Sequence, residues 1–275
     1  MGKCSSAVWI LLVCRTAIGQ GPPPPVDWSA LRSPIIFQGD RKFAFRDPAV
    51  AYHNDTFHLY FTLSETAEDG GYYNITAESS SRDLVHWTFP RVITPRDRQL
   101  NYSSPGNVVR YQGQWILCLQ TYPTPNRERF GNDTARIWIM RSRDLRTWSE
   151  PELLAVKGPD VPVEAMGRMI DPYLIEDADE PGKWWCFYKQ KGVSMSWSRD
   201  LETWTYAGHR HAGENVTVLR HGGRYVMFHS PRNGIGVKRS SSLAEWGDDE
   251  QLLLLGQKDS PWAQGRLTAA TVIDL

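Results

Sequence analysis

The sequence predicts an all-β fold, a five-bladed β-propeller of four-stranded antiparallel blades whose fifth blade is incomplete. Two observations carry that prediction. A polar turn is written four times, as "SSSRDLVHW" at 79–87, "SRDLRTW" at 142–148, "SRDLETW" at 198–204 and, more weakly, "SSSLAEW" at 240–246. Each copy belongs to a unit of four short β-type runs, and no run of ten or more residues has helical periodicity. Repeats that each supply one antiparallel sheet are the sequence signature of propeller blades.

The units follow in order. The first, about 44–93, contains "DPAVAYHNDTFHLYFT", "YYNITAESSSRDL" and "VHWTFPRVI". "HND" is a hairpin signal, and "TFHLYFT" alternates as a half-buried strand does. The second, 104–155, runs from "NVVRYQGQWILCLQTY" through "ARIWIMRSRDL" to "RTWSEPELL". The third spans 169–208 and the fourth 213–255, with the same order of runs. A fifth begins within 256–275 and stops inside "TVIDL", so the chain is expected to be a fragment or a truncated product with an exposed blade edge. In each unit the "SRDLxxW" stretch is read as the turn between the third and outermost strands, its Trp packing between neighbouring blades.

Residues 1–19 stand apart from the propeller at 41–275. Lys3 precedes a short apolar run from Ala7 to Cys14, and Ala17 and Gly19 are small residues at −3 and −1 of a cut before Gln20. That is the pattern of a secretory signal peptide, and it implies a secreted or periplasmic protein. "MGKCSS" also fits N-myristoylation, which would make the chain membrane-associated. Eight apolar residues cannot span a bilayer. Five of the eight Asn residues (Asn54, Asn74, Asn101, Asn132, Asn215) sit in N-x-[ST] sequons, compatible with export. Residues 20–40 form a Pro-rich lead-in whose "SPIIFQGD" is a candidate closing strand.

Thirty-one Lys and Arg balance thirty-one Asp and Glu, which argues against nucleic acid or an acidic membrane surface as the main partner. Twelve Trp, eleven Tyr and nine Phe are read first as filling between sheets. Cys118 and Cys186 fall inside strand-like runs and are read as buried small hydrophobes rather than a disulfide. No zinc-type spacing is present.

The residues that open the innermost strands converge on the propeller axis. They are Asp47 in "FRDPAV", Asn107 in "SPGNVV", Asp171 in "MIDPYL" and Glu214 in "GENVTV". Sequence-distant acids gathered in a funnel suit glycoside hydrolysis, in which one carboxyl donates a proton to the leaving oxygen and another, ionised, activates water or attacks carbon. A third can orient the acid and hold its proton, because like charges close together cannot all ionise.

At these residues the chain resembles glycoside hydrolase family 43 and, more broadly, the five-bladed propeller superfamily of arabinanases, levansucrases and invertases, over about 40–275. The resemblance implies Asp47 as general base, Glu214 as general acid and Asp171 as modulator of the acid's pKa. Two departures stand out. Asn107 after Pro105-Gly106 replaces the usual second-blade Ala-Pro-Asp, and "QGRLTAAT" lacks the His that helps hold a central calcium in many members. No cofactor is expected, with a structural calcium as the weaker alternative. Arg46, Arg168, His229, Arg232 and Asn107 are candidate carbohydrate contacts, the two arginines flanking the channel acids being equally readable as partners of those acids.

The leading expectation is an inverting glycosidase acting on a plant- or algal-type glycan such as an arabinoside or xyloside. A retaining fructosidase-like or phosphorylase relative would use the same acids differently. A non-catalytic carbohydrate-binding propeller is the reading from another class.

Overall fold

The computed structural model describes residues 11–14, 26–253, 265 and 267–274. The expected signal cleavage near Gly19, the myristoylation pattern and residues 20–25 of the Pro-rich lead-in lie outside the described residues.

A short strand, β1 (Leu11–Cys14), precedes four four-stranded antiparallel sheets. The first blade is β2 (Phe43–His53), β3 (Thr56–Thr66), β4 (Tyr72–Ser81) and β5 (Arg91–Val92). The second is β6 (Ser103–Tyr111), β7 (Gln114–Gln120), β8 (Ile137–Ser142) and β9 (Glu152–Leu153). The third is β10 (Ile170–Glu176), β11 (Trp184–Lys189), β12 (Val193–Ser198) and β13 (Trp204–Arg210). The fourth is β14 (Glu214–His221), β15 (Arg224–Ser230), β16 (Ile235–Ser240) and β17 (Gln251–Leu253). A last strand, β18 (Thr271–Asp274), pairs in parallel with β1. The only helical turns among the described residues are two 3-10 turns, Trp28–Ala30 and Val163–Met166.

The all-β propeller is as the repeat requires, but the expected five blades are four. At the fifth station stands the two-stranded β1–β18 sheet. The inner strands β2, β6, β10 and β14 contact one another in that order, and β18 touches both β14 and β2, closing the ring. Val272 packs with the fourth blade and Ile273 with the first. Residues 33–40 form no strand. Ile36 and Phe37 instead cover the first blade, Phe37 lying 5.2 Å from both Phe45 and Phe61.

The repeated turn is built from its own side chains. In the first copy Ser81 Oγ accepts from the Leu84 N–H, Asp83 Oδ1 accepts from Val85 and His86, and Leu84 takes a left-handed φ of 63°. Short polar side chains compete for backbone donors in this way wherever the chain must turn without a ladder. The second and third copies repeat the Ser and Asp bonds at Ser142, Asp144, Ser198 and Asp200. Trp87, Trp204 and Trp246 each donate Nε1–H to the carbonyl of the turn's Leu. Trp148, Trp204 and Trp246 then pack into clusters shared with the preceding blade. The structural reading of this motif holds.

Cys118 and Cys186 are free, buried and adjacent across the second and third blades. The sequons divide: Asn74 and Asn101 are fully buried and hydrogen-bonded, whereas Asn54 is exposed at the β2–β3 turn.

Inner strands crowd most closely at Gly106, where an added Cβ would lie 1.5 Å from the Pro172 carbonyl oxygen of the next blade. Neither backbone can yield without opening the ring. Gly106→Ala is therefore expected to cost more than the roughly 1–3 kcal/mol of ordinary overpacking. Gly247→Ala, with open space around it, should be near neutral. Thermal unfolding of the two variants checks this, and equal midpoints would contradict it.

Candidate active site

Each inner strand opens with a break in register and a residue in the left-handed region. Those residues are Asp47, Ser104, Asp171 and Asn215 in the four blades and Ala269 before β18, with φ between 48° and 57°. Register shifts accompany the first four, between Arg46 and Ala49, Ser103 and Asn107, Ile170 and Tyr173, and Glu214 and Thr217. A bulge of this kind adds a residue, re-aims its side chain and is tolerated only where the surroundings over-determine it. Proline after three of these residues disfavours right-handed helical backbone at the position before it.

This ring corrects two sequence expectations. In the fourth blade the residue equivalent to Asp47 and Asp171 is Asn215, and Glu214 stands one residue earlier, in register with Arg46, Ser103 and Ile170. The second-blade residue equivalent to Asp47 and Asp171 is Ser104, not Asn107. Asn107 lies three residues further along β6, where its amide donates to the Leu174 carbonyl at 2.6 Å and accepts from the Leu174 N–H at 2.9 Å. With both ends of the amide bound to the neighbouring inner strand, Asn107 ties blades together and is not placed to hold substrate.

A second set of residues, which the sequence did not single out, reaches the ring from the second strands. Thr62 Oγ1 donates to Asp47 Oδ2 at 3.1 Å and accepts from the Ser104 N–H at 2.7 Å. Gln120 Oε1 accepts from the Asp171 N–H. Ser230 Oγ accepts from the Ala269 N–H at 2.7 Å. Lys189 Nζ binds Glu214 Oε2. Thr62, Gln120, Lys189 and Ser230 occupy matching register positions, paired with Arg46, Ser103, Ile170 and Glu214. Their signal in the sequence was a polar residue closing each second apolar run, visible only once the blades are superposed.

Three carboxyls share the site. Asp171 is buried, accepts from Ser104 Oγ at 3.0 Å and is pushed up to about 7, first by burial and then by the charges of Asp47 and Glu214; Ser104 and Lys189 oppose the rise. Burial also raises Asp47, as does Glu214, while Arg46 and Thr62 pull it down. Glu214, half-buried, acts electrostatically on both aspartates. The Thr62 and Ser104 bonds string Asp47 and Asp171 together. Asp47, Ser104 and Asp171 line one pocket with Asn215 and Ala269, and Glu214 is not among its lining residues. The arrangement can keep one proton within a group of carboxyls and leave the others ionised.

The remaining candidates separate. His229 is buried: its Nδ1 accepts from the Gly213 N–H at 2.8 Å, and its Nε2 lies 2.7 Å from Glu250 Oε2. An unprotonated Nδ1 agrees with the downward shift that burial gives the ring. His229 thus fixes the residue before Glu214 and, being buried, is not placed as the carbohydrate contact the sequence suggests. Arg46 is exposed and donates to Ser64 and Asn74. Arg168 donates to the Gly131 carbonyl and stands 5.4 Å from the Tyr122 ring. Neither arginine makes an ion pair with the acids. Arg232 is exposed. Among the described residues no group of three or more His, Cys, Asp or Glu is arranged to hold a metal ion. At the fifth station, Ala269 offers no donor atom to one.

The profile of the glycosyl hydrolases family 32 N-terminal domain matches residues 37–220, a span that includes Asp47, Asp171 and Glu214. No curated protein matches the sequence. Among solved structures, the fold is similar to a glycosyl hydrolase from Bacteroides ovatus, with TM-score 0.62 and 12% identity over 83% of this chain and 77% of that one. A family 117 glycoside hydrolase of the marine bacterium Zobellia galactanivorans gives 0.58 and 13% over 76% and 70%. The catalytic domain of a family 62 α-L-arabinofuranosidase from Coprinopsis cinerea gives 0.53 and 17% over 76% and 69%.

The elevated Asp171 has a consequence for stability. In the unfolded chain its carboxyl titrates near 3.8, and in the folded protein near 7. Between those values the folded state binds a proton that the unfolded state has released, so this contribution is fully present below pH 3.8 and is lost as pH rises to about 7. Asp171→Asn keeps an acceptor for Ser104 and removes the titration. The wild type should therefore lose stability relative to this variant between pH 4 and 7.5, read as a Tm difference that grows by several degrees. Parallel Tm–pH curves would refute the assignment.

Proposed function

The chain belongs to the glycosyl hydrolases family 32 N-terminal domain family, and from that premise we propose that it is a glycoside hydrolase working through Asp47, Asp171 and Glu214. The observation that carries the reading is the electrostatic coupling of these three carboxyls at the openings of β2, β10 and β14. The match to family 32 puts the chain in the wider propeller superfamily of glycoside hydrolases rather than in family 43 specifically.

In the proposed mechanism Asp47 is the general base. Thr62 holds its Oδ2, leaving the other oxygen to orient a water toward the anomeric carbon. Glu214 protonates the departing glycosidic oxygen. Asp171, between them in charge though not in sequence, keeps a proton in the cluster and tunes the acid. The expected course is inversion, with a terminal or side-chain arabinoside or xyloside as substrate. The α-L-arabinofuranosidase among the fold relatives makes arabinofuranosides the first substrates to assay. Arg46 and Arg168, unpaired with the acids, are proposed to bind sugar hydroxyls at the rim, with exposed Arg232 further out.

Hydrolysis of aryl arabinofuranosides, xylosides, galactosides and fructosides, with product anomers followed by NMR, tests both activity and stereochemistry. Glu214→Gln should lose about 10²–10⁴-fold on glycans with poor leaving groups and far less on activated aryl glycosides, which need little protonation. Asp47→Asn should abolish turnover on both. Asp171→Asn should move the alkaline limb of the pH–rate profile downward, because the cluster then gives up its last proton at lower pH. Full activity of Glu214→Gln on natural glycans would sink the proposal. Saccharide binding with no turnover of any glycoside would favour the non-catalytic reading.

A further inference from the structure

Three of the four second strands carry, at one shared register position, a side chain that accepts a backbone N–H from the next station's left-handed residue. Thr62 takes it from Ser104, Gln120 from Asp171 and Ser230 from Ala269. At the same station of the third blade stands Lys189, an ammonium with three donors and no acceptor. It cannot make the bond its counterparts make. Its Nζ meets Glu214 Oε2 instead, at the opening of the fourth blade.

That departure bears on the chemistry. A group meant to protonate a leaving oxygen must hold a proton, and an ammonium in contact favours the charged carboxylate. Among the described residues the charged groups around Glu214 include Lys189 from β11, Asp171 from β10, Asp47 from β2 and, beyond Gly213, His229 from β15. Asp171 and Asp47 are like charges that disfavour a carboxylate, His229 is neutral with its Nδ1 spent on Gly213, and Lys189 favours ionisation by direct contact. The same ammonium lies within range of Asp171 but makes its hydrogen bond to Glu214.

We infer that Lys189 is a positioning residue for the site's shared proton, holding Glu214 ionised in the free protein so that the proton rests on Asp171. This rests on the reading of Glu214 as the general acid. Glu214 then carries the proton only in a minor form of the cluster with the same proton count, or when a substrate oxygen draws Lys189 away. The residue thereby fixes the upper pH of turnover, because it decides which carboxyl keeps the last proton.

The test needs no substrate. Carboxyl carbon-13 NMR of the wild type should show Glu214 titrating before Asp171 as pH rises, and Asp171 last. Lys189→Gln puts at this station the side chain that the second blade uses, so the interblade bond is available and folding is preserved. In this variant the Glu214 titration should move up by about one pH unit or more, the scale of losing one partly exposed opposite charge. Lys189→Arg, which keeps the charge, should restore the wild-type order. A wild type in which Glu214 titrates last overturns the inference, as does a Lys189→Gln protein with an unmoved Glu214 titration. A merely structural Lys189 would lower Tm in Lys189→Gln without moving either carboxyl. Failure of the acid assignment is read separately, from Glu214→Gln retaining activity on poor leaving groups.

Discussion

The hydrogen bond from one blade's left-handed residue to a polar side chain of the preceding blade's second strand is the contact on which the rest of the site depends. A left-handed conformation costs a non-glycine residue about 1–2 kcal/mol, and the ring contains five of them, none a glycine. The conformation persists because the displaced N–H finds a partner across the blade boundary at Ser104, Asp171 and Ala269. One bond thus secures the bulge, couples neighbouring sheets and turns a strand-opening side chain toward the axis.

Gathering carboxylates there opposes folding, since desolvation and mutual repulsion both act against the charged forms. The site meets that opposition in different ways at each acid. Asp171, the most buried, stays near the neutral form up to about pH 7. Asp47 has Arg46 and Thr62 to favour its charge, and Glu214 has Lys189. Three carboxyls in one place with three different environments are a means of assigning different protonation states at one pH.

The fifth station shows what the ring requires at a minimum. β18 supplies an inner strand, the left-handed Ala269, the bond to Ser230 and a contact from Thr217 Oγ1 to the Ala270 carbonyl. Val272 and Ile273 face opposite neighbours, which closes the ring with a two-stranded sheet in place of a blade. At this station alanine stands where the other positions carry aspartate, serine or asparagine.

The sequence by itself determined the blades. A Ser, an Asp and a Leu in fixed order, followed by a Trp, can satisfy one particular turn from local bonds, so their recurrence reports the repeat without tertiary information. It also determined Asp47 and Asp171, since Asp-Pro opening an apolar run is a local pattern. Three-dimensional packing decided the rest. Asn107 and Ser104 are three residues apart, and which one faces the axis depends on where the bulge interrupts pairing with β7. Lys189 reads as an ordinary polar end to "CFYK", and its contact with Glu214 spans a blade boundary that no periodicity in the chain encodes. His229 is a candidate carbohydrate contact in the sequence, and its burial against Gly213 and Glu250 is likewise a matter of packing. Burial and interblade contact belong to the closed ring, and they arise only when all its inner strands meet.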